Sequence, residues 1–322
     1  NVEFVLLNYG SKDELHNWAQ EILLPYINNG ILVYFHTKDP QYFHMSHAKN
    51  MAFKLATGDI LCSIDADNFT GAGFAAYVNE MFNKEDDIFI SPGGIGPSKK
   101  WWDVQGRICV KRNDFYNLRG YDESVMDYGY EDQDFKSRLA AAGRKKMLIK
   151  DKAYLNAIRH DDSMRITGGH SAKTVMELFV GHFVNNTSEV ICLLEGNTFE
   201  RFYIYRDLLQ YKSTDDELKP RKRYRGTYEI TGNMIRFFRE SGEPYLQLTN
   251  QDDDQLLSAG NRRFYRVTSS SLKESFLLQR AIYLGKKVFF NNKKPGRVIN
   301  PSGFGQGHVF RNFCEEDVLL SS

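Results

Sequence analysis

The sequence predicts an α/β protein whose first half builds a largely parallel sheet, followed by helices and a small antiparallel β domain. Two observations carry that expectation. From residue 1 to about 165, short apolar runs alternate with stretches of helical spacing. Beyond residue 170 the alternation gives way, first to helical spacing and then to short runs broken by turn residues. The chain has 322 residues, enough for one large or two ordinary domains, and its 42% hydrophobic content supports a sizeable core.

Val2 to Leu7 reads as a strand, Lys12 to Leu24 as a helix and Gly30 to Phe35 as the next strand. Ser46 to Ala56 reads as a helix stopped by Gly58 in the position of a C-terminal cap. Asp59 to Ile64 is then a strand that delivers two aspartates to its carboxyl end, where open α/β sheets bind ligands. Ser171 to Val184 and Phe199 to Tyr211 place Val175, Leu178, Phe179 and Phe183, then Phe199, Phe202, Tyr203 and Leu209, at helical spacing, and so predict core helices. Gly226 to Arg311 reads as short strands, among them Met234 to Phe238, Tyr245 to Leu248, Phe264 to Val267 and Lys287 to Phe290. The expected division is a catalytic domain over 1–168, a helical connector over 169–220 and a β-rich accessory domain over 221–322.

Lys and Arg number 42 against 41 Asp and Glu, so no global field favours nucleic acid, which is not expected as a partner. The run Lys219 to Arg225 is locally basic. It suits a solvated linker, or a contact with an anionic acceptor or a membrane surface. The four cysteines are widely spaced and signal neither a zinc knuckle nor a disulfide framework. No apolar run approaches the roughly 20 residues of a membrane span, and no signal peptide opens the chain. The expectation is a cytoplasmic protein, with a peripheral membrane contact through the basic run left open as one alternative. The chain starts directly in a core strand, as a protein lacking its first elements would.

Three acidic or imidazole-bearing segments carry the chemistry. In Leu61 to Asn68 an apolar strand runs into Asp65 and Asp67, which share one face of an extended chain and suit a divalent cation or a sugar nucleotide; a strand-ending turn is the alternative. In Tyr128 to Phe135 a glycine-containing loop enters a helix whose first turn holds Glu131, Asp132 and Asp134. Such carboxylates stabilise a helix N-terminus by roughly 0.3 to 1 kcal/mol each, and Asp134 with Arg138 reads as a structural pair. Glu131 and Asp132 diverge, so one suits proton transfer and the other a hydroxyl contact. In Ala157 to Asp162, His160 follows an apolar-to-polar transition. One or two Asp oxygens, an imidazole nitrogen and diphosphate oxygens would suit Mn²⁺ better than Ca²⁺ or structural Zn²⁺. Trp101 and Trp102 suit stacking on sugar rings or a place in the core.

Met45 to Asn50, Leu55 to Asp59, Ile64 to Asn68, Gly106 to Phe115, Arg119 to Glu123, Tyr128 to Phe135 and Ile158 to His160, in that order, resemble the GT-A glycosyltransferases. The likeness is to family 2 enzymes and to the β-1,4-galactosyltransferase type catalytic region, over roughly residues 1 to 165. It implies a GT-A, Rossmann-like domain with a mostly parallel sheet. It also implies an Asp-x-Asp motif in which Asp67 holds Mn²⁺ (or Mg²⁺) and Asp65 faces the nucleotide or the metal. Lys49 belongs with the donor, His160 matches a distal metal ligand, Asp132 the catalytic base and Glu131 its acceptor-binding neighbour. Tyr130, with Trp101 and Trp102, is a candidate acceptor or sugar contact. Where galactosyltransferase-type relatives place a metal-binding Met, this chain has Ala157. Phe4 to Asp13 resembles the family's second strand and following loop, so the first strand and helix are expected to be missing.

The implied activity is inverting transfer of a hexose or N-acetylhexosamine from a UDP-sugar donor to a glycan hydroxyl. One alternative is a catalytically degenerate carbohydrate-binding or scaffold protein on the same fold, which the absent first strand favours and the retained acids oppose. Another is a glycoside hydrolase using two carboxylates, a chemistry that requires neither a metal-binding His nor a strand-end Asp pair.

Overall fold

A computed structural model describes residues 2–93, 104–159, 161–210, 220–250, 256–314 and 317–321. The chain forms two compact units, Asn1–Asp161 with Gly285–Ser322, and Asp162–Leu284.

The first unit begins β1 (Phe4–Tyr9), α1 (Leu15–Ile22), α2 (Leu24–Asn28), β2 (Leu32–Thr37), α3 (Met45–Leu55), β3 (Ile60–Ser63) and β4 (Asn68–Phe69). It continues α4 (Phe74–Lys84), β5 (Ile88–Pro92), β6 (Ile108–Lys111), α5 (Arg112–Asn117), α6 (Glu131–Ala141), β7 (Lys145–Ile149) and β8 (Asn156–Ala157). The central sheet has the order β3-β6-β5-β7. Alternation on β6 shows how it is packed. Ile108 and Val110 join Phe53, Phe115, Tyr121, Phe135 and Leu139 of the α3, α5 and α6 side, while Cys109 between them joins Phe74, Val78 and Phe82 of α4. Phe135 and Leu139 are fully buried, and truncating Phe135 to Ala would cost about 3–5 kcal/mol.

The second unit holds α7 (His170–Thr174), β9 (Val175–His182), β10 (Ser188–Leu194), β11 (Thr198–Ile204), β12 (Pro220–Thr231), β13 (Met234–Arg239), β14 (Pro244–Asn250), β15 (Leu256–Ala259) and β16 (Arg262–Arg266). These eight strands close into an antiparallel barrel in which β16 pairs with β9. The long helix α8 (Ser270–Asn292) crosses from the second unit's residues to the first's. There β17 (Gly307–Arg311) and β18 (Asp317–Leu320) extend a sheet of order β1-β2-β17-β18.

The expected fold class needs correction on three counts. A mostly parallel, Rossmann-like sheet is not what forms. Only β1 with β2 and β5 with β7 run parallel among the described residues, while β6 is antiparallel to both β3 and β5 and β17 is antiparallel to β2. The helices expected over Ser171–Val184 and Phe199–Tyr211 are largely strands β9 and β11. Both are buried on both faces: Phe179 and Phe199 belong to the barrel core, while Phe202 meets Phe276 of α8 with ring centroids 5.7 Å apart. Apolar residues on both faces of a strand imitate helical spacing. The strand expected at Lys287 to Phe290 is the last part of α8.

Candidate active site

The Asp-x-Asp segment leaves β3 as a turn rather than as extended chain, because Asn68 N–H donates to the Asp65 carbonyl at 2.9 Å. Two backbone contacts then fix it to the strand that precedes His160. β4 pairs with β8 through Asn68 and Ala157, and Ile158 N–H donates to the Asp67 carbonyl at 2.8 Å. Asp67 Oδ1 accepts from Asn68 Nδ2 at 2.7 Å. Gly106 makes room for Asp65: a Cβ there would sit 2.3 Å from Asp65 Oδ2. The neighbouring Arg107 is fully buried and its Nη2 donates to Asn68 Oδ1 at 3.0 Å and to the Phe69 carbonyl at 3.2 Å, which holds the turn from below.

The second acidic segment starts α6 after a backbone that only an unusual local geometry permits. Tyr130, the N-cap, has φ 74° and Gly129 φ 103°. This loop packs closely on α8, where a Cβ at Gly285 would lie 2.2 Å from the Gly129 carbonyl and the rings of Tyr130 and Phe289 are 5.6 Å apart. Further along α8, Asn292 Nδ2 donates to Asp122 Oδ2 at 2.6 Å and to Asp134 Oδ1 at 3.0 Å. Asp134 is therefore structural, and it also takes Arg138 Nε at 2.7 Å.

Lys49, on α3, joins the two segments. Its ammonium lies 2.8 Å from Asp132 Oδ1, 3.4 Å from Glu131 Oε1 and 3.9 Å from Asp65 Oδ1, with the Tyr121 ring beneath it at 5.4 Å. Burial alone would lower the lysine's pKa, but the charges of Asp132, Asp65 and Glu131 hold it well above the ordinary value. Burial, with the charge of Asp132 added, pushes the Glu131 carboxyl up to about 7 despite the opposing ammonium. Burial likewise raises Asp65, with Lys49 opposing and Asp132 and Asp67 reinforcing. Glu131 Oε2 accepts from Gly129 N–H at 3.1 Å.

Asp65, Asp67, Glu131 and Asp132 thus set four carboxylates against the ammoniums of Lys49 and Lys136 and the Arg107 guanidinium, an excess of one negative charge when all are ionised. That excess, in hard oxygen donors at the turn, fits a divalent cation held by Asp67 and Asp65. Among the described residues no group of three or more His, Cys, Asp or Glu side chains is arranged to hold a metal ion. His160, expected as a further ligand, lies outside the described residues, as do Trp101 and Trp102. Sequence reasoning missed Gly106, Arg107, Gly285 and Asn292 as supports of the site. The first two stand in a quoted motif, but the last two had no signal in their own neighbourhood.

Residues 97–161 match the sequence model of a family described as the N-terminal domain of galactosyltransferase. That segment carries Glu131-Asp132 and runs through Ile158-Arg159-His160, so the resemblance to galactosyltransferase-type glycosyltransferases holds over it. No curated protein matches significantly. Among solved structures, the catalytic domain of Drosophila β1,4-galactosyltransferase 7 in complex with xylobiose is 18% identical, over 51% of this chain and 74% of that one, with a TM-score of 0.34. A mutant of the same enzyme, in complex with manganese, UDP-Gal and xylobiose, is 17% identical over the same shares, with a TM-score of 0.33. Scores this low do not establish a common fold.

Proposed function

We propose that the chain is an inverting, Mn²⁺-dependent glycosyltransferase that moves a hexose or N-acetylhexosamine from a UDP-sugar to a glycan hydroxyl, with Asp132 as general base. The observation that carries this reading is the Lys49 cluster. Asp65 of the strand-end pair and Glu131 and Asp132 at the start of a helix, far apart in sequence, share the buried Lys49 ammonium, and the two helix-start acids lie in the segment, residues 97–161, that matches the galactosyltransferase family model.

Bound at Asp67 and Asp65, and at His160 as the resemblance implies, the cation would offset the charge of the leaving diphosphate. The protein's own groups do the rest. Asp132 accepts the proton of the attacking hydroxyl, and Glu131, partly protonated near neutral pH, hydrogen-bonds the acceptor beside it. Lys49 holds Asp132 in place; a donor diphosphate competes for the same ammonium, and Lys49 turning toward it would release Asp132 to take a proton. An acid at the base position supports a single displacement and hence inversion. Gly129 and Tyr130 bring the backbone close to where an acceptor would lie.

The test is donor turnover with UDP-Gal, UDP-Glc, UDP-GalNAc and UDP-GlcNAc against a glycan acceptor panel, with Mn²⁺ and with chelator. The reading expects Mn²⁺-dependent release of UDP and a product of inverted anomeric configuration. No turnover with any donor, from protein that binds glycan, would support a degenerate binding protein instead.

A further inference from the structure

The barrel carries a cleft of about 460 Å³ that the transfer chemistry does not use. Its walls are Phe199 of β11, Arg223, Tyr224 and Arg225 of β12, Arg239 of β13 and Tyr245 of β14. Arg223 and Arg225 belong to the basic run that the sequence left open between a linker and an anion contact. The structure makes residues 220–225 part of a barrel strand.

The cleft is cationic. Three guanidiniums line it against one carboxylate, Glu240, which pairs with Arg225. Of the other two, Arg239 is the weakly compensated one. Arg223 shares the buried Glu200 with Arg280, and Arg239 has Glu243 at 4.0 Å, both ends of that pair being largely exposed. The cleft also has a fixed aromatic wall. The Tyr245 ring stacks on Phe199 at 6.2 Å with an interplanar angle of 16°, and the guanidiniums of Arg201 and Arg239 lie 5.0 and 5.6 Å from its centroid. The buried Tyr245 hydroxyl has no hydrogen-bond partner among the described residues.

We infer that this cleft binds an anionic saccharide, with a carboxylate-bearing sugar held by Arg239 and Arg223 and a neighbouring ring lying on the aromatic wall. Guanidiniums match carboxylates in a planar, bidentate way, and aromatic faces take the apolar face of a sugar ring. That the ligand is an anion follows from the cleft; that it is a saccharide rests on the transferase reading.

Calorimetric titration of the full chain with a hyaluronan hexasaccharide, a chitin hexasaccharide as the neutral control, a dT oligonucleotide and sodium sulfate tests the inference without any donor or metal. The expected result is binding of the acidic hexasaccharide at least tenfold tighter than the neutral one. That binding should weaken at least tenfold in Arg239→Gln and in Tyr245→Ala, and stay unchanged in Arg236→Gln, which removes a charge from the same strand but outside the cleft. Unchanged melting of the variants confirms that the barrel is intact. Equal binding of the two hexasaccharides, tighter binding of the oligonucleotide, full competition by millimolar sulfate, or equal loss in Arg236→Gln would each overturn it. Failure of transfer with intact binding would instead count against the transferase reading alone.

Discussion

Replacing Glu131 by Gln changes how stability depends on pH, with a sign that the burial of this residue sets. The folded carboxyl titrates at about 7, against an ordinary 4.5, and its side chain is only 5% exposed. Below pH 4.5 the acid is neutral in both folded and unfolded chains, so burial carries no ionisation penalty. As pH rises through 4.5 the unfolded chain ionises while the folded one holds its proton, and the folded state loses ground until the pH passes 7. At about 1.4 kcal/mol per pH unit, the span from 4.5 to 7 amounts to about 3.5 kcal/mol, most of it falling between pH 5 and pH 8. The amide of the Gln variant would keep an acceptor for Gly129 N–H and a dipole beside Lys49 but never ionises. The difference in stability between Glu131→Gln and the parent should therefore move by about 3 kcal/mol in the variant's favour between pH 5 and pH 8. Urea unfolding at fixed ionic strength, in chelator, reads this. All three tryptophans, Trp18, Trp101 and Trp102, fall within the first unit's sequence, so their fluorescence follows the unit that holds Glu131. A difference that stays constant across the range, or one that moves toward the parent, would refute the burial argument.

Two further substitutions test the cluster from other sides. Lys49→Met leaves three carboxylates facing one another and should cost about 3–5 kcal/mol, more at pH 8 than at pH 5 because the Glu131 carboxyl loses the nearby ammonium that opposes its protonation; urea midpoints at the two pH values check this. Gly106→Ala places a methyl 2.3 Å from Asp65 Oδ2, the movable end of a side chain, so Asp65 must turn aside while the core is spared. Mn²⁺ affinity in the presence of UDP should fall about 10- to 100-fold, with an unfolding midpoint close to the parent's, as titration calorimetry and urea unfolding would show.

The site's acids were legible because charge at the end of an apolar run and in the first turn of a helix stands out against its surroundings. Asp65, Asp67, Glu131 and Asp132 all have that local contrast. What drew them together was not local. Lys49 lies on a helix whose sequence gives no sign of which residues it faces, and Gly285 and Asn292 reach the Glu131 loop from a helix begun in the other unit's residues. The sheet misled for a similar reason. Strand alternation announces β6, but whether β6 lies parallel or antiparallel to β3 and β5 depends on how the chain returns to them. In β9 and β11, burial on both faces erased the period of two that marks a strand. In α8, the apolar positions Leu272, Phe276, Leu277, Ala281, Leu284 and Val288 do keep helical spacing, but its end, Val288-Phe289-Phe290, has the β-branched and aromatic character of a strand.

The central claim is that Asp132 is the base of a sugar transfer at the Lys49 cluster, and Asp132→Asn tests it most directly. Asparagine nearly matches aspartate in shape but cannot take the acceptor's proton. With a donor that the parent turns over, saturating Mn²⁺ and a glycan acceptor, kcat should fall about 10²- to 10⁴-fold while UDP binding stays within a few-fold of the parent. Transfer continuing at the parent's rate in the Asn variant would contradict the account.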